Sequence, residues 1–209
     1  MSARICIIDY GVGNRRSVEK ALEKVGAETV ISADPAVLAA ADGLVIPGVG
    51  AFPSAIERIR ALGLDEQIAA SAAAGKPILG ACLGMQLLFD SSVEHGGAEG
   101  LGLIAGEVVA LNAPGGKLPH IGWAPVEWAG KSALTAGFDQ GASFYHVHSY
   151  VAAPARDEVV VGWSSYGSRF ASVVAQANIF GVQFHPEKSS ANGLRMLANF
   201  ASICQQVER

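Results

Sequence analysis

The chain has 209 residues, half of them apolar and 16% charged, with a formal net charge of −4. That length suits one large domain over residues 1–209 with a sizeable core, and the acidic balance offers no basic patch of the kind nucleic acid demands. No apolar run approaches the roughly 18 residues of a membrane span, and the opening MSARICIIDYGVGN, broken by Asp9, reads as a buried strand rather than a signal peptide. Cys6, Cys82 and Cys204 are widely spaced and lack any CxxC pairing, which argues against a disulfide framework and against a zinc site. The expectation is a reduced, cytoplasmic protein with no metal and no membrane association.

Taken in chain order, Arg4–Asp9 is a short apolar run followed by the turn Gly11-Val12-Gly13. From Asn14 to Val25 the apolar residues fall at helical spacing (Val18, Ala21, Leu22, Val25), and Gly26 stands as a stop. Glu28–Ile31 predicts a second strand, Pro35–Ala41 a helix and Gly43–Pro47 a third strand. Phe52, Ile56 and Ile59 share a helix face that Gly63 ends; Leu64–Ala74 continues helically, and Lys76–Ala81 predicts a strand running into Cys82. Buried strands with little polar alternation, separated by amphipathic helices, predict an α/β fold with a mostly parallel central sheet and flanking helices. Between about Gly102 and Gln183 the texture changes to short β-prone pieces: Glu107–Leu111, Ala124–Trp128, Ser143–Val147, Glu158–Ser164, Ala171–Gln176 and Ile179–Phe184. These predict added antiparallel strands. A last helix from about Ser190 to Gln206 presents Leu194, Leu197, Ala198, Ala201 and Cys204.

The segment Gly80-Ala81-Cys82-Leu83-Gly84 has the G-x-nucleophile-x-G form of an elbow between a strand and a helix. Larger residues beside the nucleophile would clash with the neighbouring strand and helix. A helix starting near Leu83 turns its positive end and free N–H groups toward the sulfur, favouring thiolate, and the Leu83 N–H is placed for a developing oxyanion. Cys6, mid-strand, and Cys204, on an apolar helix face, read as small hydrophobes. A cysteine nucleophile needs a base, and five histidines are available. His185, in Gly181-Val-Gln-Phe-His185-Pro-Glu187, follows an apolar strand that Pro186 interrupts, at the strand end where functional side chains emerge in such folds. Glu187, two residues on, is within reach of the imidazole and suited to fixing its tautomer. His95 reads as a solvated loop residue, His120 and His146 as locally satisfied residues in β-like segments, and His148 is open on these grounds alone.

With these residues the sequence resembles the class I glutamine amidotransferases, whose glutaminase domains share a cysteine elbow and a later His-Pro-Glu. The blocks Ile8–Asn14, Pro47–Phe52, Cys82–Phe89, Gly100–Ile104, Pro119–Trp123, His148–Tyr150 and Gln183–Ser189 run in order over nearly the whole chain. Together they are similar to the glutaminase subunits of imidazole glycerol phosphate synthases, which serve histidine biosynthesis. The resemblance implies that Cys82 attacks the side-chain amide of glutamine, that His185 protonates the leaving ammonia, and that a glutamyl thioester is then hydrolysed. It implies oxyanion roles for Gly48, Val49 and Gly50 beside Leu83, and glutamine contacts for Gln86, His148, Ser149 and Tyr150. It implies a heterodimer with a (β/α)8 cyclase subunit that receives the ammonia, with Asn14, Trp123 and Lys188 at the interface, and no cofactor. It further implies that the chain alone hydrolyses glutamine slowly, because an N–H in Gly48–Gly50 turns away until the partner's site fills. Arg15 stands where such subunits commonly carry Leu, Ala124 where Asn is frequent, and Ala81 where a branched apolar residue is usual. Glutaminase subunits serving pyridoxal phosphate, aminodeoxychorismate or anthranilate synthesis predict the same triad but different loops. A free-standing γ-glutamyl hydrolase predicts activity without a partner, and a non-catalytic module would not need Cys82, His185 and Glu187 together. Gly11-Val-Gly-Asn lacks the third glycine of a dinucleotide fingerprint.

Overall fold

In the computed structural model, which describes residues 2–206, the first part of the chain follows the expected alternation: β1 (Arg4–Ile8), α1 (Arg15–Lys24), β2 (Glu28–Ser32), α2 (Pro35–Ala40), β3 (Gly43–Ile46), α3 (Phe52–Ala61), α4 (Leu64–Ala73) and β4 (Ile78–Ala81). Local chemistry sets several of the boundaries. Asp34 caps α2 by accepting the Ala36 N–H at 2.8 Å, and Pro35 occupies the first turn, where its missing N–H costs nothing. Gly26, at φ +89°, takes the left-handed conformation just beyond α1. β1 pairs in parallel with both β2 and β3, and β3 with β4. Both faces of these strands are covered, so their apolar residues divide by the two-residue period. Cys6 and Ile8 join a core with Leu38, Phe52, Ile56, Ile59, Leu64 and Ile68. Ile5 and Ile7 join a second core with Val18, Leu22, Leu197, Phe200 and Cys204.

Beyond β4 the chain turns through α5 (Leu83–Leu87), β5 (Phe89–Ser92), β6 (Ala98–Glu99), β7 (Ile104–Ala110), β8 (His120–Pro125), β9 (Glu127–Trp128), β10 (Ser143–His148), β11 (Tyr150–Pro154), β12 (Val160–Tyr166), β13 (Ser168–Gln176), β14 (Ile179–Val182) and α6 (Ser190–Gln205). The large sheet has the order β2-β1-β3-β4-β14-β13-β12-β9, parallel from β2 through β14 and antiparallel beyond. Smaller sheets are formed by β8 with β10 and by β11-β7-β5-β6.

Three features differ from the sequence pattern. β14 is not an antiparallel addition: it lies in parallel beside β4 and extends the central sheet. The single piece expected at Ala124–Trp128 is split between β8, which pairs with β10, and β9, which pairs with β12. Pro125 has no N–H to continue a ladder, and the buried Val126 turns inward between the two strands. β5, β6 and β11 carry too few alternating residues to announce themselves. Among the described residues, no helix is long and apolar enough to cross a membrane.

Candidate active site

Cys82 occupies the turn between β4 and α5 with φ 53° and ψ −112°, a left-handed conformation that a cysteine adopts only under tertiary constraint. The constraint is visible in its backbone bonds. The Cys82 N–H donates to the Val182 carbonyl at 2.8 Å, and its carbonyl accepts from Met85 and Gln86 at 3.0 and 3.3 Å. The flanking glycines are required by close approach. A Cβ on Gly80 would lie 2.4 Å from the Gly84 carbonyl oxygen, and one on Gly84 would lie 1.8 Å from the Ile46 carbonyl oxygen of β3. The first N–H groups of α5, beginning with Leu83, have no acceptor within the helix.

The candidate base reaches the candidate nucleophile through the sheet. β14 runs beside β4 in the register Gly181 to Gly80 and Val182 to Ala81, so the chain leaves both strands at the same end. His185 then donates its N–H to the Tyr145 carbonyl at 2.9 Å; the Ser189 hydroxyl donates to the His185 carbonyl at 2.7 Å and accepts the Tyr145 N–H at 2.9 Å. These bonds clamp the turn. His185 Nδ1 lies 3.0 Å from Glu187 Oε1, and because a carboxylate accepts, Nδ1 carries the proton and Nε2 is left for Cys82. Burial pulls the imidazole toward its neutral form, and this is the largest single influence. The hydrogen bonds and charges of Cys82 and Glu187 together outweigh it and raise the pKa to about 9. Asn14 Nδ2 donates to the same Glu187 oxygen at 3.4 Å. Glu187 Oε2 is buried without a hydrogen-bond partner beside a void of about 10 Å³ that Asn14, Gly48 and Val49 also line, a space for about one water.

Cys82 and His185 open onto a cleft of about 270 Å³ lined by Val49, Gly50, Leu83, Gln86, His148, Ser149, Tyr150 and Lys188, with Glu94 and Pro119. Most of the site residues expected from sequence therefore meet in one place. Gly48 and Asn14 lie behind the triad instead, and Trp123 lies outside the cleft on β8. Trp123 is 54% exposed, with Leu118 at 48% and Ile121 at 61%, and is not a core tryptophan. Arg15 pairs with Asp9. Glu94 went unread in the sequence, because no local motif marks it. It is the cleft's one acidic side chain, buried, with Oε2 accepting the Phe52 N–H at 2.7 Å.

His148 donates from Nδ1 to the Tyr150 carbonyl at 3.1 Å, so its Nε2 accepts from His120 Nδ1 at 3.2 Å. His146 donates from Nδ1 to the Phe144 carbonyl at 3.1 Å and accepts from the Ser172 hydroxyl at 3.0 Å. Both His146 and His148 are neutral: burial first, then the neighbouring histidines, lowers each pKa to about 3. Burial lowers that of His120 as well. The unfolded chain, with histidines near 6.5, binds these protons first, so stability is lost as pH falls from about 6.5 toward about 3. His146 and His148 together are expected to steepen that loss by up to about 2.7 kcal/mol per pH unit. Urea unfolding at pH 7, 6 and 5 measures it: His146→Gln should flatten the slope by roughly half, and a pH-independent midpoint would contradict the assignment of neutral rings.

The family model described as glutamine amidotransferase class-I matches residues 6–204. The imidazole glycerol phosphate synthase subunit HisH of Moorella thermoacetica is 48% identical over 95% of this chain and 94% of its own length. That of Rhodopirellula baltica is 46% identical over 97% and 99%. Among solved structures, PurLQS from Thermotoga maritima superposes with a TM-score of 0.75 at 23% identity, covering 99% of this chain and 100% of that one, a likeness of fold alone. The chain belongs to the class I glutamine amidotransferase family and, within it, to the HisH subunits of imidazole glycerol phosphate synthase.

Proposed function

We propose that this chain is a glutaminase subunit that hydrolyses glutamine to glutamate and ammonia, and passes the ammonia to a (β/α)8 cyclase subunit making imidazole glycerol phosphate in histidine biosynthesis. The observation that carries the chemistry is the contact series Cys82–His185–Glu187 at the floor of the cleft, with the His185 pKa raised by its hydrogen bonds to Cys82 and Glu187. The Cys82 thiolate adds to the amide carbon of glutamine, and the oxyanion takes N–H bonds from Leu83 and from the Gly48–Val49–Gly50 segment. As the C–N bond breaks, His185 Nε2 gives its proton to the departing nitrogen, leaving ammonia and a glutamyl thioester. Neutral His185 then takes a proton from water, the hydroxide adds to the thioester, and the C–S bond breaks to return the thiolate and release glutamate. Glu187 keeps the imidazole in the right tautomer throughout.

Within the cleft, Glu94 is placed to pair with the α-ammonium of glutamine. Gln86 and the His148-Ser149-Tyr150 loop hold the rest of its amino-acid end. Glu94→Gln is expected to raise the KM for glutamine by about 10- to 100-fold with little change in kcat, the loss of a charge-assisted bond made equally in ground and transition states; a kcat loss at constant KM would remove Glu94 from this role. The apolar patch of exposed Leu118, Ile121 and Trp123 fits docking of the cyclase, and Lys188 lines the cleft beside Pro119 of the same segment. A single domain carries the whole reaction, and three free thiols suit a reducing cytoplasm.

The test is glutamate release from glutamine by the chain alone, by the chain with a cyclase subunit, and by that pair with an analogue of the cyclase substrate. A strong rise only in the third sample, abolished by Cys82→Ala, is the expected result. Full activity from the chain alone would mark a free-standing hydrolase. No activity anywhere, with the partner bound, would leave a binding module.

A further inference from the structure

Gln183 sits one residue beyond β14 and two before His185, fully buried at 0% exposure. A strand-end glutamine with no solvent contact must spend its amide on protein partners. Its partners are both in the site. Gln183 Oε1 accepts from Gln86 Nε2 at 3.1 Å, and Gln183 Nε2 lies 3.9 Å from Cys82 Sγ, within reach of an N–H bond to sulfur.

The direction in which this amide points is dictated from outside it. The Tyr150 carbonyl can only accept, and it takes Gln86 Nε2 at 3.0 Å together with His148 Nδ1 at 3.1 Å. Gln86 therefore turns its nitrogen toward Tyr150, and its second N–H meets Gln183. Gln183 must answer with oxygen, which leaves its own nitrogen facing the sulfur. Flipping Gln183 would set N–H against N–H at Gln86 and take the N–H away from the Cys82 sulfur. With both N–H groups of Gln86 committed, its amide oxygen is the atom it has left to offer a ligand in the cleft.

We propose that Gln183 is a positioning residue for glutamine hydrolysis: its amide N–H holds the Cys82 thiolate, and its amide oxygen locks Gln86 in the orientation that receives glutamine. This rests on the glutaminase reading above. It gives one side chain two separable effects, one on the nucleophile and one on substrate affinity.

The experiment compares the full chain with Gln183→Leu, which removes both bonds, and Gln183→Glu, which keeps the shape and an acceptor for Gln86 but removes the donor to sulfur. Iodoacetamide alkylation of Cys82 is followed at pH 7 by mass, with Cys82→Ala as background, and kcat and KM for glutamine are measured with the cyclase partner present. Both variants are expected to alkylate about tenfold more slowly than the wild type, the cost of a lost bond to a charged group. Only Gln183→Leu is expected to raise KM, by about tenfold. Alkylation within twofold of wild type in both variants overturns the proposal, as does an equal KM rise in both. Should neither fold, Gln86→Met keeps Gln183 but removes the N–H that fixes its orientation; about threefold slower alkylation is expected, and an unchanged rate overturns the proposal. A wild-type chain that alkylates but never turns over glutamine would instead count against the glutaminase reading, whatever the variants do.

Discussion

Gly84→Ala is expected to cost about 3 kcal/mol of stability or more, and to cut glutamine turnover by at least about 100-fold in whatever folds. The methyl group would lie 1.8 Å from the Ile46 carbonyl oxygen and 2.8 Å from its carbon. Those atoms are backbone of β3, held between β1 and β4, so no side-chain rotation relieves the contact. Either α5 lifts away from the sheet or β3 is displaced. Both movements separate parts of one site: α5 begins at Leu83 and carries Gln86, and β3 leads directly into Pro47–Gly50. Urea unfolding gives the stability change, and glutamate release with the cyclase partner gives the turnover. A variant within 1 kcal/mol of wild type and fully active would mean that the elbow is not built as described.

His185→Gln is expected to lower turnover by about three orders of magnitude, since it removes the group proposed to carry the proton to the leaving nitrogen. The wild-type profile supplies a second, independent signature. In the proposed mechanism His185 is protonated at the moment the C–N bond breaks, so activity should fall as pH rises through about 9. Stability follows the same proton. The folded pKa lies above the unfolded value near 6.5, so the stabilising contribution of the imidazolium is complete below 6.5 and disappears as pH rises through about 9. Glu187→Gln removes one of the charges that raise the imidazole pKa and should bring the alkaline limb to lower pH. A profile whose alkaline limb ignores that substitution would detach Glu187 from His185.

The part of the fold written in local pattern was legible. β1, α1 and β3 announce themselves through runs and 3.6-residue spacing, and the helix read from Pro35 onward is α2. The elbow was legible because its glycines are a steric requirement carried by sequence neighbours. What stayed hidden depends on distant partners. β14 reads like any short apolar strand, and nothing within Ile179–Val182 says that β4 is its neighbour. Glu94 is identified only by the Phe52 N–H it accepts, 42 residues away in the chain. Gln183 stands between the buried Val182 and Phe184, a position where alternation would send a polar side chain to solvent; the sulfur and Gln86 hold it inside instead. His120 and His146 do read as locally satisfied residues, but the ring group in which His120 stacks on His146 and meets His148 edge-on joins strands that the sequence keeps apart.

The seam between β4 and β14 also orders events in time. The nucleophile is made early in translation, the strand that supplies its base roughly a hundred residues later, and that strand must slot between β4 and β13 rather than add to an edge. A nascent chain that has emerged only as far as Gln176 therefore holds Cys82 beside an open sheet edge, with no general acid and no Val182 carbonyl to fix its backbone. Such non-local parallel pairing is slow relative to helix and hairpin formation. Closure of the central sheet is thus the step that first brings Cys82 and His185 to the same strand ends.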